Sequence, residues 1–170
     1  MNPYTLRLAR IQDIADMRRI EVAAGEHFRA LGMDLVADDD PPSEGELSSY
    51  IASDRSWVAV VEDRPVGYLT FDHVDGQWHI EQVSVEPEHA GHGLGRQLIE
   101  RVADLAAAAG VRALTLTTYR DVPWNAPYYE RLGFHEIPET AWTPGLRALR
   151  DREIKHGLDA WPRLCMRREL

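Results

Sequence analysis

The spacing of apolar positions changes several times along the chain, and each change marks an element. Residues 5–10 alternate apolar and polar, which predicts an opening strand. From Asp13 to about Leu31, the residues Ile14, Met17, Ile20, Ala24, Phe28 and Leu31 recur at three- and four-residue spacing, the stripe of a helix. Residues 32–42 hold the acidic run Asp38-Asp39-Asp40 and the breaker Pro41-Pro42, and predict a loop. Ser43 followed by Glu46 has the pattern of a capping box for a second helix over residues 44–53. Strand-like runs follow at 57–61, 66–73 and 78–85, separated by a turn at Asp63-Arg64-Pro65 and a hairpin signal at Asp75-Gly76. Leu94, Leu98, Val102, Leu105 and Ala109 then mark the stripe of a helix that Gly110 ends.

Residues 113–118 predict a strand with Leu114 and Leu116 on one face and threonines on the other. Asn125 is placed to cap a short helix that accepts Pro127 in its first turn and stops at Gly133, where Phe134 begins another strand. Residues 143–157 form a polar helical pattern with Leu146, Leu149 and Ile154 as its apolar positions, and residues 163–168 close the chain's strand pattern. The expected fold is α/β (α+β): a mixed, mostly antiparallel sheet flanked by helices. It forms a single domain over residues 1–170, with an extra helix before the last strand.

One change of period carries chemistry. The β-branched run ending at Val85 breaks at Pro87, passes Gly91, Gly93 and Gly95 at alternate positions, and becomes an amphipathic helix. Such a loop lines up main-chain N–H groups at the positive end of a helix dipole, which suits a diphosphate. Glycine lets the ligand approach the backbone and permits positive φ. The dinucleotide fingerprint is excluded because its third glycine falls on Arg96. The triphosphate P-loop is excluded as well, since the chain's one lysine is Lys155.

The stretch Ala90-Gly91-His92-Gly93-Leu94-Gly95 resembles the acetyl-CoA loop of the GNAT superfamily of N-acetyltransferases, with Ala90 where that pattern begins with Gln or Arg. A second stretch, Asn125 to Phe134, is similar to the family's Asn…Phe-Tyr-Glu-Arg-Leu-Gly-Phe element. The resemblance covers residues 4–138. It implies that acetyl-CoA is the co-substrate, with its pyrophosphate over Gly91, His92, Gly93, Leu94, Gly95 and Arg96. It also implies a splay between the strand ending at Val85 and the following parallel one, so that Val83 and Val85 meet the pantetheine and the Val83 N–H faces the developing oxyanion. Asn125 would bond the pantetheine arm or cap its helix. Glu81 is the expected base, with a plain solvent-facing carboxylate as the other reading and His79 as its substitute. Tyr129 would protonate the thiolate, against a simple packing role, with Tyr128 as the fallback.

Composition narrows the function further. A chain of 170 residues with 44% hydrophobic content suits one domain, and no apolar run approaches membrane-spanning length. The residues after Met1 lack the regions of a secretion signal, and the lone Cys165 suits a reducing cytoplasm as a buried thiol. A net charge of −9 opposes nonspecific nucleic-acid binding. The seven histidines fall in no metal-binding pattern, so no metal is expected. Tyr119 and Trp124 are candidates for an acceptor pocket or for ordinary packing, and the Asp38-Asp39-Asp40 run for its rim or for a solvated loop. The expected activity is direct acetyl transfer to a primary amine of a small molecule or peptide, the amine's identity left open. The alternative is a noncatalytic acyl-CoA-binding or sensing module. A homodimer is compatible with either.

Overall fold

The computed structural model describes residues 1–170. Seven strands form one sheet: β1 (Tyr4–Leu8), β2 (Ser56–Val61), β3 (Arg64–Val74), β4 (Gln77–Val85), β5 (Ala113–Tyr119), β6 (His135–Ile137) and β7 (Arg163–Glu169), in the order β1-β2-β3-β4-β5-β7-β6. The helices are α1 (Ile14–Gly25), α2 (Asp34–Ala37), α3 (Glu44–Ala52), α4 (Leu94–Ala108), α5 (Ala126–Arg131) and α6 (Pro144–Lys155). Most recorded pairings are antiparallel, and β4 runs parallel to β5. The expected mixed sheet and the extra helix before the last strand are therefore present. The chain divides into two compact units, residues 1–71 with 82–101, and residues 72–81 with 102–170.

In the first unit, Met17 and Ile20 of α1 and Leu47 of α3 pack with Val58, Val60 and Tyr68 of the strands. The expected capping box holds: the Ser43 hydroxyl accepts from the Glu46 N–H at 3.1 Å, and the Glu46 carboxylate accepts from the Ser43 N–H at 3.3 Å. Three boundaries differ from expectation. The long first helix gives way after Gly25 to a tighter 3-10 segment, Glu26–Leu31, ended by left-handed Gly32. The following loop contains the short α2. The β2–β3 turn sits at Glu62 and Asp63, both with positive φ, so Arg64 and Pro65 already belong to β3.

In the second unit, β5 pairs with β7 along its full length, Ala113 opposite Glu169 through Tyr119 opposite Arg163. The β3–β4 hairpin turns at Asp75 and Gly76, both at positive φ, as the residue pair predicts. Its tip holds the start of α6: the Gly145 N–H donates to Asp75 Oδ2 at 2.8 Å. A Cβ on Gly145 would lie 2.6 Å from that oxygen and 2.7 Å from Val74 Cγ1, so glycine is what lets the helix begin this close. Thr143 caps α6, while Leu146 and Leu149 are buried and Ile154, expected on the apolar stripe, is exposed.

The stripe of α4 is also rotated from the expected one. Leu94, Leu98, Ile99, Val102, Ala103 and Ala106 are buried, whereas Leu105 is 38% exposed. Leu98→Ala is therefore expected to cost about 2–5 kcal/mol, and Leu105→Ala less than about 1 kcal/mol, in urea unfolding followed by circular dichroism.

Candidate active site

The glycine loop is built by backbone geometry. Gly91 and Gly93 adopt φ of 81° and 71°, a region that side chains strain to occupy. Nothing lies within 4 Å of a Cβ added at Gly91, so at that position dihedral freedom rather than lack of space requires glycine. Upstream, the His89 and Ala90 N–H groups close a tight turn on Glu86 and Pro87. Downstream, the first internal donor is the Gln97 N–H, to the Gly93 carbonyl at 3.0 Å. Between them the N–H groups of Gly91, His92, Gly93, Leu94, Gly95 and Arg96 take no acceptor from the chain. Leu94 begins α4, so these donors stand at the positive end of a 15-residue helix. Arg96 is exposed and makes no ion pair.

Side chains that pattern reading did not single out hold this loop. Glu86, buried just before it, pairs with Arg19 of α1 and Arg64 of β3. The Tyr4 hydroxyl meets His89 Nδ1 at 2.9 Å, and its ring lies 5.3 Å from that of His92. Glu21 of α1 accepts from the Tyr68 and Ser84 hydroxyls, each at 2.8 Å, and burial raises its pKa despite those bonds. The signal for Glu21 was its spacing: it lies four residues after Met17, on the stripe that faces the core. Val83 and Val85, beside Ser84 on β4, are half-buried.

In the second unit, β4 meets β5 in parallel, Trp78 opposite Leu114 and His79 opposite Thr115, two pairs against the seven that join β5 to β7. His79 is 1% exposed, with Nδ1 2.8 Å from the Thr115 hydroxyl. Burial pushes its pKa down to about 4, with the charges of Glu153 and Asp72 only partly opposing, so His79 is neutral and committed to Thr115. Glu81 differs. Its surface is open to solvent, yet the protein atoms around it dominate its ionisation. Desolvation, reinforced by the charges of Asp72 and Glu153, raises its pKa to about 7 against opposition from Arg152 and Arg163.

Asn125 sits at the start of α5 but makes no side-chain cap bond, contrary to the capping expectation; its carbonyl accepts from the Tyr129 N–H at 3.0 Å. Tyr129 is 8% exposed and packs edge-on against Tyr128 and Phe134, with centroid separations of 5.4 and 5.9 Å. Of the two acceptor-pocket candidates, Tyr119 is buried under the Arg163 guanidinium at 4.4 Å and Trp124 is exposed. Asp38 pairs with Arg29 at 2.6 Å, the solvated-loop role. Cys165 is fully buried, and burial raises its thiol to about 11, which removes it as a nucleophile. A surface recess of about 480 Å³, lined by Ala15, Arg18, Arg19, Val22, Ala23 and Pro41, contains none of the expected site residues.

The acetyltransferase (GNAT) family model matches residues 20–134, two thirds of the chain and a span that includes both the glycine loop and Tyr129. The chain belongs to the GNAT acetyltransferase family. Streptothricin acetyltransferase of Streptomyces lavendulae is 34% identical over 109 residues, 58% of this chain and 55% of that protein. A GNAT family acetyltransferase from Brucella melitensis, solved with acetyl-CoA, is 26% identical at a TM-score of 0.57, over 78% of this chain and 82% of that one. The PaiA N-acetyltransferase of Thermoplasma acidophilum, solved with coenzyme A, shares the fold at a TM-score of 0.68 and 11% identity, over 98% and 99% of the two chains. The chain spans 36 to 55% of the length of the curated relatives it matches. No helix is long and apolar enough to cross a membrane, and no group of three or more His, Cys, Asp or Glu residues is placed to hold a metal ion.

The raised Glu81 pKa has a consequence for stability. The folded chain holds that proton more tightly than the unfolded chain, so this contribution is present at low pH and is lost as pH rises through about 7. Glu81→Gln, which keeps the uncharged form, is expected to melt higher than the parent at pH 8 and nearly with it at pH 4.5. Thermal melts of both proteins across that range check the sign.

Proposed function

We propose that the chain is a single N-acetyltransferase domain that moves an acetyl group from acetyl-CoA to a primary amine by direct transfer. The observation that carries this reading is the row of partnerless N–H groups at residues 91–96 on the end of α4. Their number and dipole suit the coenzyme's diphosphate, and Arg96 adds an exposed positive charge. One continuous strand, β4, carries Glu81, Val83 and Val85 towards that loop. The short parallel ladder at the start of β4 supports assigning the Val83 and Val85 main chain to the pantetheine arm. The Asn125 amide, free of a capping bond, is assigned to the same arm.

Acetyl transfer to an amine requires removing the ammonium proton, stabilising the oxygen on which charge develops, and protonating the departing sulfur. Glu81 takes the first role, directly or through water. A carboxyl that titrates at about 7 is half ionised at neutral pH and holds the proton far more strongly than an ordinary glutamate. The Val83 N–H takes the second role and the Tyr129 hydroxyl the third. The packing of Tyr129 against Tyr128 and Phe134 fixes its ring for that donation. His79, neutral and bonded to Thr115, is a structural residue in this reading. The acceptor is a small-molecule or peptide amine, and the setting is the cytoplasm.

Release of free thiol from acetyl-CoA, followed against a panel of amines, tests turnover and acceptor together. With an accepted amine, kcat/KM is expected to rise with pH through about 7 and then level, since the base works ionised. Glu81→Gln should lower it roughly 10²–10⁴-fold and Tyr129→Phe about tenfold or more. Unchanged rates and pH profile in both variants would remove the mechanism. Tight coenzyme A binding without turnover on any amine would favour a noncatalytic sensing module.

A further inference from the structure

The helix inserted before the last strand is fastened at both ends within its own unit. Its start is held by Thr143 and by the Gly145–Asp75 bond on the β3–β4 hairpin. Towards its end, the Thr117 hydroxyl of β5 donates to Glu153 Oε2 at 2.5 Å, and Arg163 of β7 reaches the same oxygen at 3.2 Å. Arg150, 4% exposed, ties Glu153 Oε1 at 2.7 Å to Asp159 at 2.8 Å. Three partners thus hold one carboxylate at a fixed point against β5. That is a large investment of charged groups for a helix whose outer residues are solvated.

The register shows what lies beside that point. His79 of β4 stands opposite Thr115 of β5, and their side chains are bonded on one face of the sheet. The β4–β5 pairing ends at that pair, and two residues further along each strand alternation returns Glu81 and Thr117 to the face that His79 and Thr115 share. Glu153, bonded to Thr117, is thus held on the face of the sheet that Glu81 shares, near enough for its charge to act on Glu81.

We propose that Glu153 is a positioning residue for the base: pinned by Thr117, Arg150 and Arg163, it presents a fixed negative charge to Glu81 and so makes α6 a tuning element of the reaction. This rests on Glu81 being the base, as proposed above. The charged groups that act on Glu81 come from three elements besides its own strand: Asp72 of β3, Arg152 and Glu153 of α6, and Arg163 of β7. Asp72 and Glu153 favour the protonated form, and the two arginines oppose it. The neutral His79, on the same strand, adds no charge at neutral pH.

The test reads the Glu81 carboxyl carbon by NMR titration, its signal assigned by loss in Glu81→Gln, alongside the pH profile of kcat/KM. Glu153→Gln is expected to lower the Glu81 midpoint by roughly half a pH unit, the scale of one nearby charge in a partly screened site. The acid limb of the rate profile should move with it. Glu153→Asp, which keeps the charge, should restore most of the shift. Arg152→Gln alters an exposed position on the same helix and should move the midpoint the other way, so the proposal stays testable if Glu153→Gln folds poorly. A midpoint unmoved in these variants overturns the proposal. A midpoint that moves while the rate profile stays fixed supports the coupling and sinks the assignment of Glu81 as base.

Discussion

A helix cannot satisfy its own first N–H groups, and a chain that folds must find them partners elsewhere. Here the demand is enlarged rather than relieved. Two residues at positive φ, Gly91 and Gly93, turn the loop before α4 so that three further N–H groups precede the helix and none finds an acceptor in the chain. Unpaired donors of this kind are costly unless water or a ligand takes them up. In this exposed loop those donors stand open to water or to an anion, and the proposed function depends on their taking an anion. In the proposed site a chain with a net charge of −9 is matched to a polyanionic coenzyme through local dipoles at short range, where the net charge matters little.

The surrounding polar contacts act as braces for the strand and loop. Glu21 joins α1 to Tyr68 and Ser84, and Glu86 gathers Arg19 and Arg64 at the point where β4 gives way to the loop. Removing Glu21 would take an acceptor from the buried Tyr68 and Ser84 hydroxyls, and removing Glu86 would release the partly exposed Arg19 and Arg64 from the strand end. In the other unit, the charged ties of α6 do the same for β5 and β7. Both units thus brace their strands with charged side chains.

Much of this was legible in the chain itself. The three-glycine loop, the Asn125–Phe134 segment, the two-residue hairpin at Asp75-Gly76 and the Ser43–Glu46 cap are local signals, read within a few residues and kept by the fold. What escaped was set by tertiary packing. The α4 stripe turned so that Ile99 and Ala106 are inside and Leu105 outside, a rotation that the apolar spacing leaves open. Asn125 lost its cap role to an unusual backbone conformation, and the first helix tightened into a 3-10 segment beyond Gly25. Spacing put Glu21 on the helix stripe, but its hydroxyl partners, the arginines of Glu86 and the Thr117 and Arg163 partners of Glu153 are distant in the chain, so what these carboxylates hold was not legible. The ionisation of Glu81 is likewise a property of the assembled fold, to which burial, Asp72 and Glu153 contribute.

The central claim is that main-chain N–H groups of residues 91–96 grip the diphosphate of coenzyme A. Amide NMR during titration with coenzyme A, and separately with pantetheine, which lacks the diphosphate, tests it most directly. The account predicts large shifts at Gly91, His92, Gly93, Leu94, Gly95 and Arg96 with coenzyme A and little movement there with pantetheine. Coenzyme A that binds and leaves those six signals in place would contradict it.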